Sequence, residues 1–408
     1  MGVPQGSVIS PILFNFFVSD HPNSADLHTS YADDFTAAAA SPSIPETAER
    51  LTDHAADVAA WAEDRGLTIS LAKSHVTLFT SDSRQFRLDP GVSLGGDPLP
   101  LCRNPKILGV TLDPSLTFSP HAKDLADRAR SRLNIMRALA GVSWGQSRET
   151  LLTTYKALIK PLLTYAAPVW FPNASRSSIQ PLQSIQNAAL RIASGAVLMT
   201  SQDHLHGEAR LLPVDRELSM LCSQFLLGAL RRSHPSNAVV SADPGPRSIR
   251  STLRSRFLPS VQPFLQDGST PDSTYRSSLN AIHSGAVADA TAAAAPNRVL
   301  GRAPPPVDSE EVLLPRHYRT TLAQLRTGFS SAMGDYIAKI NSTETPPCPE
   351  CGEGEHTVSH LFDCGTRPTH LSAVDLWERP RQVADFLSSL SAFAHLPPLP
   401  PPPPQPPP

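Results

Sequence analysis

Charged residues are scarce in this chain. Only 18% of its 408 residues are Asp, Glu, Lys or Arg, whereas an average protein has about 25%. The formal net charge is −2, so the chain as a whole lacks the excess of positive charge that is typical of nucleic-acid-binding proteins. Any contact with a polyanion must therefore depend on a local cluster of basic residues.

Long apolar runs are also missing. No run approaches the roughly 18 residues that a membrane-spanning helix needs, so we expect no integral membrane protein. The N-terminus has no basic segment followed by an apolar stretch, and it therefore lacks the pattern of a secretory signal. These absences favour an intracellular protein without membrane contact, and they leave nucleus and cytoplasm as alternatives.

Cysteine is sparse, whereas proline is abundant. Five cysteines, an odd number, in a chain without a secretory signal argue against a disulfide framework and leave free thiols or a metal site. The 42 prolines are about 10% of the residues, twice the usual share of about 5%. Residues 397–408 are almost only proline, which favours polyproline II. We predict that this tail is either disordered or a docking ligand.

Charge changes sign along the chain. Residues 1–66 contain ten acidic and two basic residues, whereas residues 121–160 contain eight basic and three acidic ones. One interpretation is two ordinary solvated helix faces. The other is a metal-binding end and a phosphate-binding end of one site.

Apolar periodicity predicts helices in two regions. An amphipathic helix is expected over residues 47–65, where apolar residues recur every three to four positions and Gly66 provides a stop. Two short runs with β-branched residues, 67–70 and 76–79, predict strands of a sheet. From about 121 to 230 the spacing is again helical. The sequence therefore predicts mixed α and β structure followed by a mostly helical region.

The composition changes again after residue 232. Residues 233–314 are rich in Ser, Pro, Ala and Arg and show no sustained period, which predicts a linker with scattered helical turns. A last helical pattern runs over roughly 316–340 and leads directly into a cluster of cysteines. We expect this helix to precede a small metal-binding module.

Tyr31-Ala32-Asp33-Asp34 is the sharpest local feature. Two adjacent carboxylates in a turn can hold a divalent cation, because Mg²⁺ takes hard oxygen ligands and is usually held by one or two carboxylates plus substrate phosphates. In phosphoryl and nucleotidyl transfer, two such ions about 4 Å apart stabilise the attacking and the leaving oxygens. An Asp-Asp pair on its own is more often a solvated turn, so the interpretation depends on its context.

A second motif supplies that context. Residues 2–15 read Gly-Val-Pro-Gln-Gly-Ser-Val-Ile-Ser-Pro-Ile-Leu-Phe-Asn, and the Tyr-Ala-Asp-Asp box begins sixteen residues after Asn15. Two glycines and two prolines make a turn that lets the backbone approach another chain closely, before an apolar helix start. In this order and at this spacing, the two motifs closely resemble those of reverse transcriptases of non-long-terminal-repeat retrotransposons.

The resemblance implies roles for individual residues. Asp33 and Asp34 are expected to bind the catalytic Mg²⁺, and Lys73 is the candidate general acid that protonates the pyrophosphate leaving group. The residues expected to contact template and substrate are Gly2, Pro4, Gln5, Gly6, Ser7 and Tyr31.

Further segments extend the resemblance. Residues 108–113 resemble the hairpin that grips the primer, and residues 121–195 resemble the helical thumb and its extension, which contains the basic stretch. Duplex DNA carries about one charge per 1.7 Å, so a basic surface is expected beside it. Residues 314–328 resemble the segment before the terminal zinc motif of jockey-like elements.

The zinc motif itself has the spacing C-x2-C-x8-H-x3-C. It consists of Cys348, Cys351, His360 and Cys364. Three thiolates and one imidazole satisfy tetrahedral Zn²⁺ and leave no open position, so the ion is expected to be structural. His356 is an alternative fourth ligand, although His360 fits the ending of the family's motif.

One part of the related polymerases is not found in this sequence. In those enzymes the fingers and a palm strand with the first metal-binding aspartate precede both motifs. Asp33 and Asp34 would then form only half of a site. We therefore expect the isolated chain to be catalytically inactive.

The predicted fold class is α+β: a partial polymerase palm followed by a helical thumb, a disordered linker and a small zinc knuckle. The predicted boundaries are 1–115 for the palm, 116–232 for the thumb and its extension, 233–314 for the linker, 315–345 for a helix, 346–366 for the zinc knuckle, 367–396 for a C-terminal helical segment and 397–408 for the proline-rich tail.

The predicted function is that of a fragment of an RNA-directed DNA polymerase of a jockey-like retrotransposon. Its expected partners are an RNA template, a DNA primer and deoxynucleotides, and its expected ions are Mg²⁺ and Zn²⁺. An alternative from another class is a non-enzymatic nucleic-acid-binding protein that uses the basic helices and the zinc knuckle. A third is an inert product of a decayed element, for which protease sensitivity over the whole chain and the absence of cooperative unfolding would be evidence.

Overall fold

The computed structural model describes residue 4 and residues 6–141, 144–242 and 249–399. The chain forms two compact units, Met1–Pro120 and His121–Pro408. Gly2, Gln5 and residues 400–408 of the tail, all of which carry sequence predictions, lie outside the described residues.

The first unit combines two helices with three separate hairpins. Its helices are α1 (Ser10–Phe17) and α2 (Ile44–Asp64). Its strands are β1 (Leu27–Tyr31), β2 (Asp34–Ala38), β3 (Ser93–Leu94), β4 (Asp97–Pro98), β5 (Lys106–Ile107) and β6 (Val110–Thr111). Each pair of consecutive strands is antiparallel, and the described residues contain two-stranded sheets only.

Helix α2 confirms the predicted amphipathic helix, three residues longer at its start. The side chain of Ser43 caps this start, because it accepts a hydrogen bond from the backbone N–H of Glu46. Gly66 follows the helix with a φ of +65°, a conformation that residues with a Cβ rarely adopt. The apolar face is buried at Val58 and Trp61, as the periodicity predicts.

The two strands predicted over residues 67–70 and 76–79 are not formed. Residues 67–70 are irregular, Leu71–Lys73 is a single 3₁₀ turn, and Val76 makes an isolated parallel bridge to Leu101. β-branched residues favour a strand only where neighbouring strands supply packing and a ladder. The described residues provide no continuous partner strand here, so the prediction from composition is wrong.

Strands β5 and β6 form a hairpin over Lys106–Thr111, which overlaps the hairpin predicted at residues 108–113. Its two central residues, Leu108 and Gly109, have φ of +45° and +83°, and Ile107 pairs with Val110. Two residues with positive φ suit the right-handed twist of a tight hairpin. A role at the primer stays a prediction.

The second unit is helical in its described part. Its helices are α3 (Ser119–Leu139), α4 (Arg148–Thr154), α5 (Lys160–Thr164), α6 (Ala167–Trp170), α7 (Arg176–Ser194), α8 (Gln202–Ala209), α9 (Val214–Ala229), α10 (Asn237–Ser241), α11 (Ile249–Val261), α12 (Tyr275–Ala293), α13 (Arg316–Arg326), α14 (Gly334–Asn341), α15 (Val358–Asp363), α16 (Asp375–Glu378) and α17 (Pro380–Ser388). Helix α3 buries Leu125, Ala129, Leu133 and Met136, as the spacing predicts. None of the described helices combines the length and the apolar character needed to cross a bilayer.

Residues 233–314 correct the prediction of a disordered linker. The described part of this segment contains α10, α11 and α12, and both α11 and α12 pack along α9. Alanine favours helix without producing an apolar stripe, and α12 buries only Ser278 and Ile282. Composition alone therefore conceals a helix that the tertiary contacts stabilise.

The single helix predicted over 315–345 is two helices, because Gly328 turns the chain with a φ of +69°. The first of them, α13, is polar in sequence and yet buried on every side from its third residue onward. It lies against the end of α7, where the side-chain amide of Gln324 donates to the carbonyl of Gly195 at 2.8 Å. A Cβ at Gly195 would lie 2.4 Å from the methyl group of Thr320, so this approach requires glycine.

The predicted zinc region, α13 and the C-terminal helices share one hydrophobic core. Its buried members are Leu314, Tyr318, Leu322, Leu325, Met333, Val358, Leu361, Phe362, Leu371, Leu376, Trp377, Val383, Ala384, Leu387, Leu390 and Phe393. The Tyr318 hydroxyl donates to the carbonyl of Pro397 at 2.8 Å, and Leu399 packs on the same core. The first residues of the proline-rich tail are therefore attached to the protein's own core.

Candidate functional site

The Tyr-Ala-Asp-Asp box forms the tip of the β1–β2 hairpin. Tyr31 pairs with Asp34 at the last position of the ladder, so that Ala32 and Asp33 make a two-residue loop. Ala32 has a φ of +54°, which is unfavourable for a residue with a Cβ and is typical of tight turns at functional positions. The hairpin thus presents two adjacent aspartates at an exposed tip.

The two carboxylates are free to accept a ligand. Within the described residues, neither the Asp33 nor the Asp34 carboxylate has a hydrogen-bond or ion-pair partner, and both residues are exposed. Exposed carboxylate oxygens fit the hard-ligand preference of Mg²⁺. Among the described residues, no third Asp, Glu, His or Cys side chain completes a metal site with this pair. The one group of three or more such ligands found there is that of Cys348, Cys351, His360 and Cys364.

The residues of the motif at positions 2–7, Gly-Val-Pro-Gln-Gly-Ser, form a turn before α1, as far as they are described. The backbone N–H of Ser7 and the hydroxyl of Ser10 both donate to the carbonyl of Pro4, at 3.3 and 2.7 Å. Gly6 has a φ of +83° with open space where a Cβ would stand. A tight turn that leads into an apolar helix is therefore confirmed.

Lys73 and Tyr31 are both exposed. Lys73 ends the 3₁₀ turn Leu71–Lys73, and the Tyr31 side chain at the hairpin tip is 66% exposed. No hydrogen bond or ion pair among the described residues joins Lys73 to Asp33 or Asp34. The general-acid role of Lys73 stays a prediction.

The four residues of the zinc motif come together. The ligand atoms of Cys348, Cys351, His360 and Cys364 all lie within 4.8 Å of one another, and the Cys351 Sγ is 3.3 Å from Nε2 of His360. Four ligands around one Zn²⁺ with bonds of about 2.0–2.3 Å are roughly 3.5–4 Å apart. Gly352, whose N–H donates to the Cys348 carbonyl at 2.8 Å, closes the turn between the cysteines.

The backbone around this Cys₃His cluster favours a thiolate. N–H groups of Gly354 and Glu353 point at the Cys351 sulfur and lower the pKa of its thiol to about 6. Burial has the opposite effect at Cys348 and raises its pKa. A bound cation would favour the thiolate form of all three cysteines.

The structure separates the two candidate histidine ligands. His360 lies in the first turn of α15, whose N-terminus is capped by Thr357, and belongs to the cluster. Nδ1 of His356 instead accepts the backbone N–H of Gly334 at 3.0 Å, and the ring is buried there. The geometry therefore favours His360.

Part of the basic stretch in residues 121–160 is used inside the protein. Arg148 pairs with Glu208 at 2.7 Å and Lys160 with Glu217 at 2.9 Å, and the Arg148 side chain is only 15% exposed. The cations that remain exposed on α3 are Lys123, Arg128, Arg130, Arg132 and Arg137. Lys156, which follows α4, is exposed as well. The candidate phosphate-binding surface is therefore α3, and Lys156 is an exposed cation outside it.

The segment around the Cys₃His cluster is acidic, in contrast to the basic surface of α3. Residues 341–366 contain five acidic residues and no Lys or Arg. An acidic segment repels a phosphate backbone. This distribution speaks against the alternative in which the zinc knuckle itself holds RNA.

A buried ion cluster centred on Arg326 is absent from the sequence predictions. Its guanidinium donates from Nη2 to Glu208 at 2.8 Å and to Glu311 at 3.0 Å, and from Nη1 to the Leu376 carbonyl at 2.9 Å. Burial opposes the charge on Glu208, but Arg326 and Arg148 outweigh it and hold the pKa of this carboxyl below its usual value. Arg326 stands in the segment that resembles jockey-like elements, yet no local pattern reveals partners 118 and 15 residues away.

Comparison with known proteins places the Asp33-Asp34 hairpin inside a region that matches a known family. Residues 1–112 match the family described as reverse transcriptase (RNA-dependent DNA polymerase). No solved structure matches the chain significantly.

Curated relatives extend the similarity beyond that region. The chain is 29% identical over 268 residues to the probable RNA-directed DNA polymerase from transposon X-element of Drosophila melanogaster, covering 62% of this chain and 29% of that protein. It is 32% identical over 204 residues to the RNA-directed DNA polymerase from mobile element jockey of Drosophila funebris, covering 48% and 22%. The jockey polymerase of Drosophila melanogaster is 28% identical over 268 residues, covering 62% and 29%.

The chain thus spans less than a third of the length of these relatives. The matched family region contains both the turn before α1 and the Asp33-Asp34 hairpin. Residues 1–112 therefore form a reverse transcriptase region, and the chain is similar to RNA-directed DNA polymerases of jockey-like, non-long-terminal-repeat retrotransposons.

Proposed function

We propose that the first unit contributes part of the active site of an RNA-directed DNA polymerase. The observation that carries this proposal is the exposed Asp33-Asp34 pair at the tip of a tight hairpin inside the region that matches the reverse transcriptase family. The substrates would be an RNA template, a DNA primer and deoxynucleotides. As in the named relatives, the product would be DNA.

Each predicted residue receives a role in this proposal. Asp33 and Asp34 would hold Mg²⁺ through their carboxylate oxygens, and the ion would offset negative charge on the transferred phosphate. The turn of Pro4, Gly6 and Ser7 would let the backbone approach the template. Gly2, Gln5 and Tyr31 would contact the template and the substrate. Lys73 would donate a proton to the pyrophosphate leaving group.

The proposal includes inactivity of the isolated chain. Two-metal catalysis needs ligands that bridge both ions, and the described residues supply only two adjacent carboxylates. We expect no primer extension on an RNA template by the purified 408-residue protein with Mg²⁺. Extension that disappears in Asp33→Asn would disprove this inactivity while supporting the site.

Asp33→Asn is expected to lower primer extension at least about 100-fold in an active context, because an amide cannot replace a carboxylate that balances the charge of the ions. The context is a chimera in which this chain replaces the matching part of the Drosophila funebris jockey polymerase. Primer extension with Mg²⁺ is the measurement. Asp97→Asn is the matched control, because Asp97 is an exposed aspartate directly after the two-residue loop of the β3–β4 hairpin, where it corresponds to Asp34. Equal activity of both variants would remove Asp33 from the site.

Helix α3 is proposed as the surface that contacts the primer–template duplex. Its exposed cations are partly neutralised by neighbours on the same helix, since Arg130 pairs with Asp127 at 2.7 Å and Arg128 lies 3.5 Å from Asp124. Such exposed pairs are weak, so phosphates can compete for the guanidinium groups. Binding through this helix should weaken steeply with salt.

We further propose that the Cys₃His cluster binds Zn²⁺ as a structural ion. Three sulfurs and one imidazole nitrogen within 4.8 Å of one another fit its tetrahedral ligand set. The ion would join the turn at Cys348 and Cys351 to both ends of α15, where His360 and Cys364 lie. The shared core around α13 would then depend on the metal.

Gly354→Ala is expected to weaken zinc binding about 10–100-fold, comparable to the loss of a contact that orients a ligand. A Cβ at this position would lie 2.3 Å from Cε1 of His360, so the imidazole would have to leave its place beside Cys351. Competition with a chromophoric chelator measures the affinity. Gly365→Ala is the control, since its Cβ meets no atom within 4 Å and it lies next to Cys364. Equal affinities would place His360 outside the coordination sphere.

A further inference from the structure

Three histidines lie together between the β1–β2 hairpin and α2. His21 follows α1, His28 belongs to β1, and His54 belongs to α2. The ring centroids of His21 and His28 are 4.0 Å apart, and those of His28 and His54 are 5.3 Å apart. The cluster therefore joins the end of α1 and the start of the hairpin to α2, whose His54 is 26 residues from His28.

Hydrogen bonds assign the proton positions along a relay of four side chains. The Ser24 hydroxyl donates to Asp57 at 3.0 Å, so its oxygen accepts Nδ1–H of His54 at 2.8 Å. Nε2 of His54 is then unprotonated and accepts Nδ1–H of His28 at 3.3 Å. Each imidazole in this arrangement is neutral, and each tautomer follows from its neighbour.

The two outermost ring nitrogens have no partner. His21 donates from Nδ1 to the carbonyl of Val18 at 2.9 Å, which leaves its Nε2 unprotonated. Nε2 of His21 and Nε2 of His28 are both buried without a hydrogen bond in the described part of the chain. A proton on Nε2 of His28 would be a buried charge without a hydrogen-bond partner, beside two other imidazoles.

The surroundings also disfavour protonation. Burial, with His21 and His54 nearby, lowers the pKa of His28 to about 4, and burial lowers the pKa of His54 although Asp57 opposes it. Phe35 of β2 faces the His21 and His28 rings.

Two further charges lie beside this cluster, on the side of Trp61. Asp20 accepts the Trp61 indole N–H at 3.3 Å, and Arg65 pairs with Asp20 while its guanidinium lies 4.9 Å from the Trp61 ring centre. Since each balances the other, neither offers a free counter-charge to an imidazolium.

We propose that the relay Asp57–Ser24–His54–His28, together with His21, is a pH-dependent latch that holds the β1–β2 hairpin against α2. The latch is closed when His28 and His54 are neutral, and it opens when protonation places repelling charges on these two adjacent rings. A two-stranded hairpin is marginal on its own, and most of β1 is exposed. Its attachment to α2 rests on this cluster, on the contact of Phe35 with Trp61, and on the ion pair of Asp26 with Arg50 at the other end of the hairpin.

The direction of the pH effect follows from linkage. On release, His28 and His54 recover ordinary pKa values near 6.5, so the open state binds more protons than the closed state between about pH 6.5 and 4. The latch is fully closed above pH 6.5 and weakens as the pH falls through that range. At pH 5.0, His28 alone would shift the equilibrium about thirtyfold towards the open state. The proposal concerns attachment of the hairpin and does not depend on polymerase activity.

Hydrogen exchange of the full chain, corrected for intrinsic rates, tests the latch at pH 7.5 and 5.0. We expect the protection of residues 27–38 to fall at least tenfold at pH 5.0, while residues 93–98, a second two-stranded hairpin, keep theirs. His28→Phe retains the ring volume and cannot titrate, so it should flatten the pH dependence at residues 27–38. If this variant is unprotected even at pH 7.5, His21→Phe is compared in the same way.

Three results would overturn the latch. They are equal loss of protection at both hairpins, no loss at residues 27–38 in the unaltered chain, and an undiminished pH dependence in the phenylalanine variant that retains protection at pH 7.5.

Discussion

Replacing Arg326 with alanine is expected to destabilise the second unit by about 3–5 kcal/mol. Its side chain is 1% exposed, and those of its partners Glu311 and Glu208 are 3% and 8% exposed. Removal of the guanidinium would leave two buried carboxylates with Arg148 as their remaining cation, 2.7 Å from Glu208 and 3.5 Å from Glu311. The cost arises mainly from the orphaned charges, since the ion cluster as a whole has little net advantage over apolar packing.

Denaturant unfolding followed by far-ultraviolet circular dichroism measures the loss. Arg130→Ala is the matched control, because Arg130 also pairs with a carboxylate, that of Asp127, but with side chains 55% and 58% exposed. Its effect should stay below about 1 kcal/mol. Similar losses for Arg326→Ala and Arg130→Ala would contradict the buried cluster.

The effect of Arg326→Ala should also depend on pH. In the unaltered protein the pKa of Glu208 is held below its usual value, so its stabilising contribution is complete above about pH 4.5 and is lost below it. Without Arg326, burial would raise the pKa of Glu208, and the folded variant would bind more protons than the unfolded one. The stability difference between variant and unaltered protein should therefore shrink from pH 7.5 to pH 5.

With serine in place of Cys364, the purified protein is expected to contain no bound zinc, because the zinc affinity falls more than 100-fold. Loss of a contact that only orients a ligand lowers metal affinity by about 10–100-fold. Structural zinc supplies roughly 10–16 kcal/mol of apparent binding energy in small zinc modules, and this energy is also folding energy. Cys364 stands at the end of α15, whose Val358, Leu361 and Phe362 belong to the shared core. Loss of the ion should therefore loosen that core.

Contacts of Glu350 connect the zinc motif to the C-terminal segment. Glu350, between the first two cysteines, accepts the backbone N–H of Ser391 at 2.6 Å and pairs with Arg367 at 3.0 Å. These hydrogen bonds lower the pKa of Glu350 to about 2. The turn that bears Cys348 and Cys351 is therefore attached to the C-terminal segment as well as to α15.

Metal analysis of the purified protein and thermal unfolding with and without a chelator test this expectation. The unaltered protein should contain one zinc per chain and lose stability on chelation, whereas Cys364→Ser should contain none and show no response to the chelator. Cys102→Ser controls for thiol loss outside the cluster and should retain the metal. A metal-free protein that chelation leaves unchanged would contradict a structural ion.

Local patterns predict the features in which a few consecutive residues suffice. The capped helix α2, the tight hairpin at Leu108 and Gly109, and the turn before α1 each depend on side chains and backbone angles within one segment. The motif at Asp33 and Asp34 belongs to the same class. Its conformation as a hairpin tip follows from the pairing of Tyr31 with Asp34.

Composition misleads where long-range packing decides the outcome. The β-branched runs at 67–70 and 76–79 lack a continuous partner strand among the described residues, so their propensity has no ladder to stabilise. The alanine-rich α12 shows no apolar stripe and is nevertheless helical against α9. The same limit hides the polar interior around α13, because buried Arg and Gln residues look like surface residues in a sequence.

The sequence by itself determined the resemblance to the reverse transcriptase family, the acidic pair, the three cysteines of the zinc motif and most helices of residues 121–230, because each is encoded in neighbouring residues or in short fixed spacings. Only the tertiary structure decided that His360 rather than His356 joins the cysteines, that Arg148 is committed to a buried carboxylate, and that three histidines meet behind the hairpin. These outcomes depend on which distant segments lie side by side. Some of these hydrogen-bond and charge partners are more than a hundred residues apart in the chain. Burial and geometry select them, and a linear sequence pattern contains no signal for either.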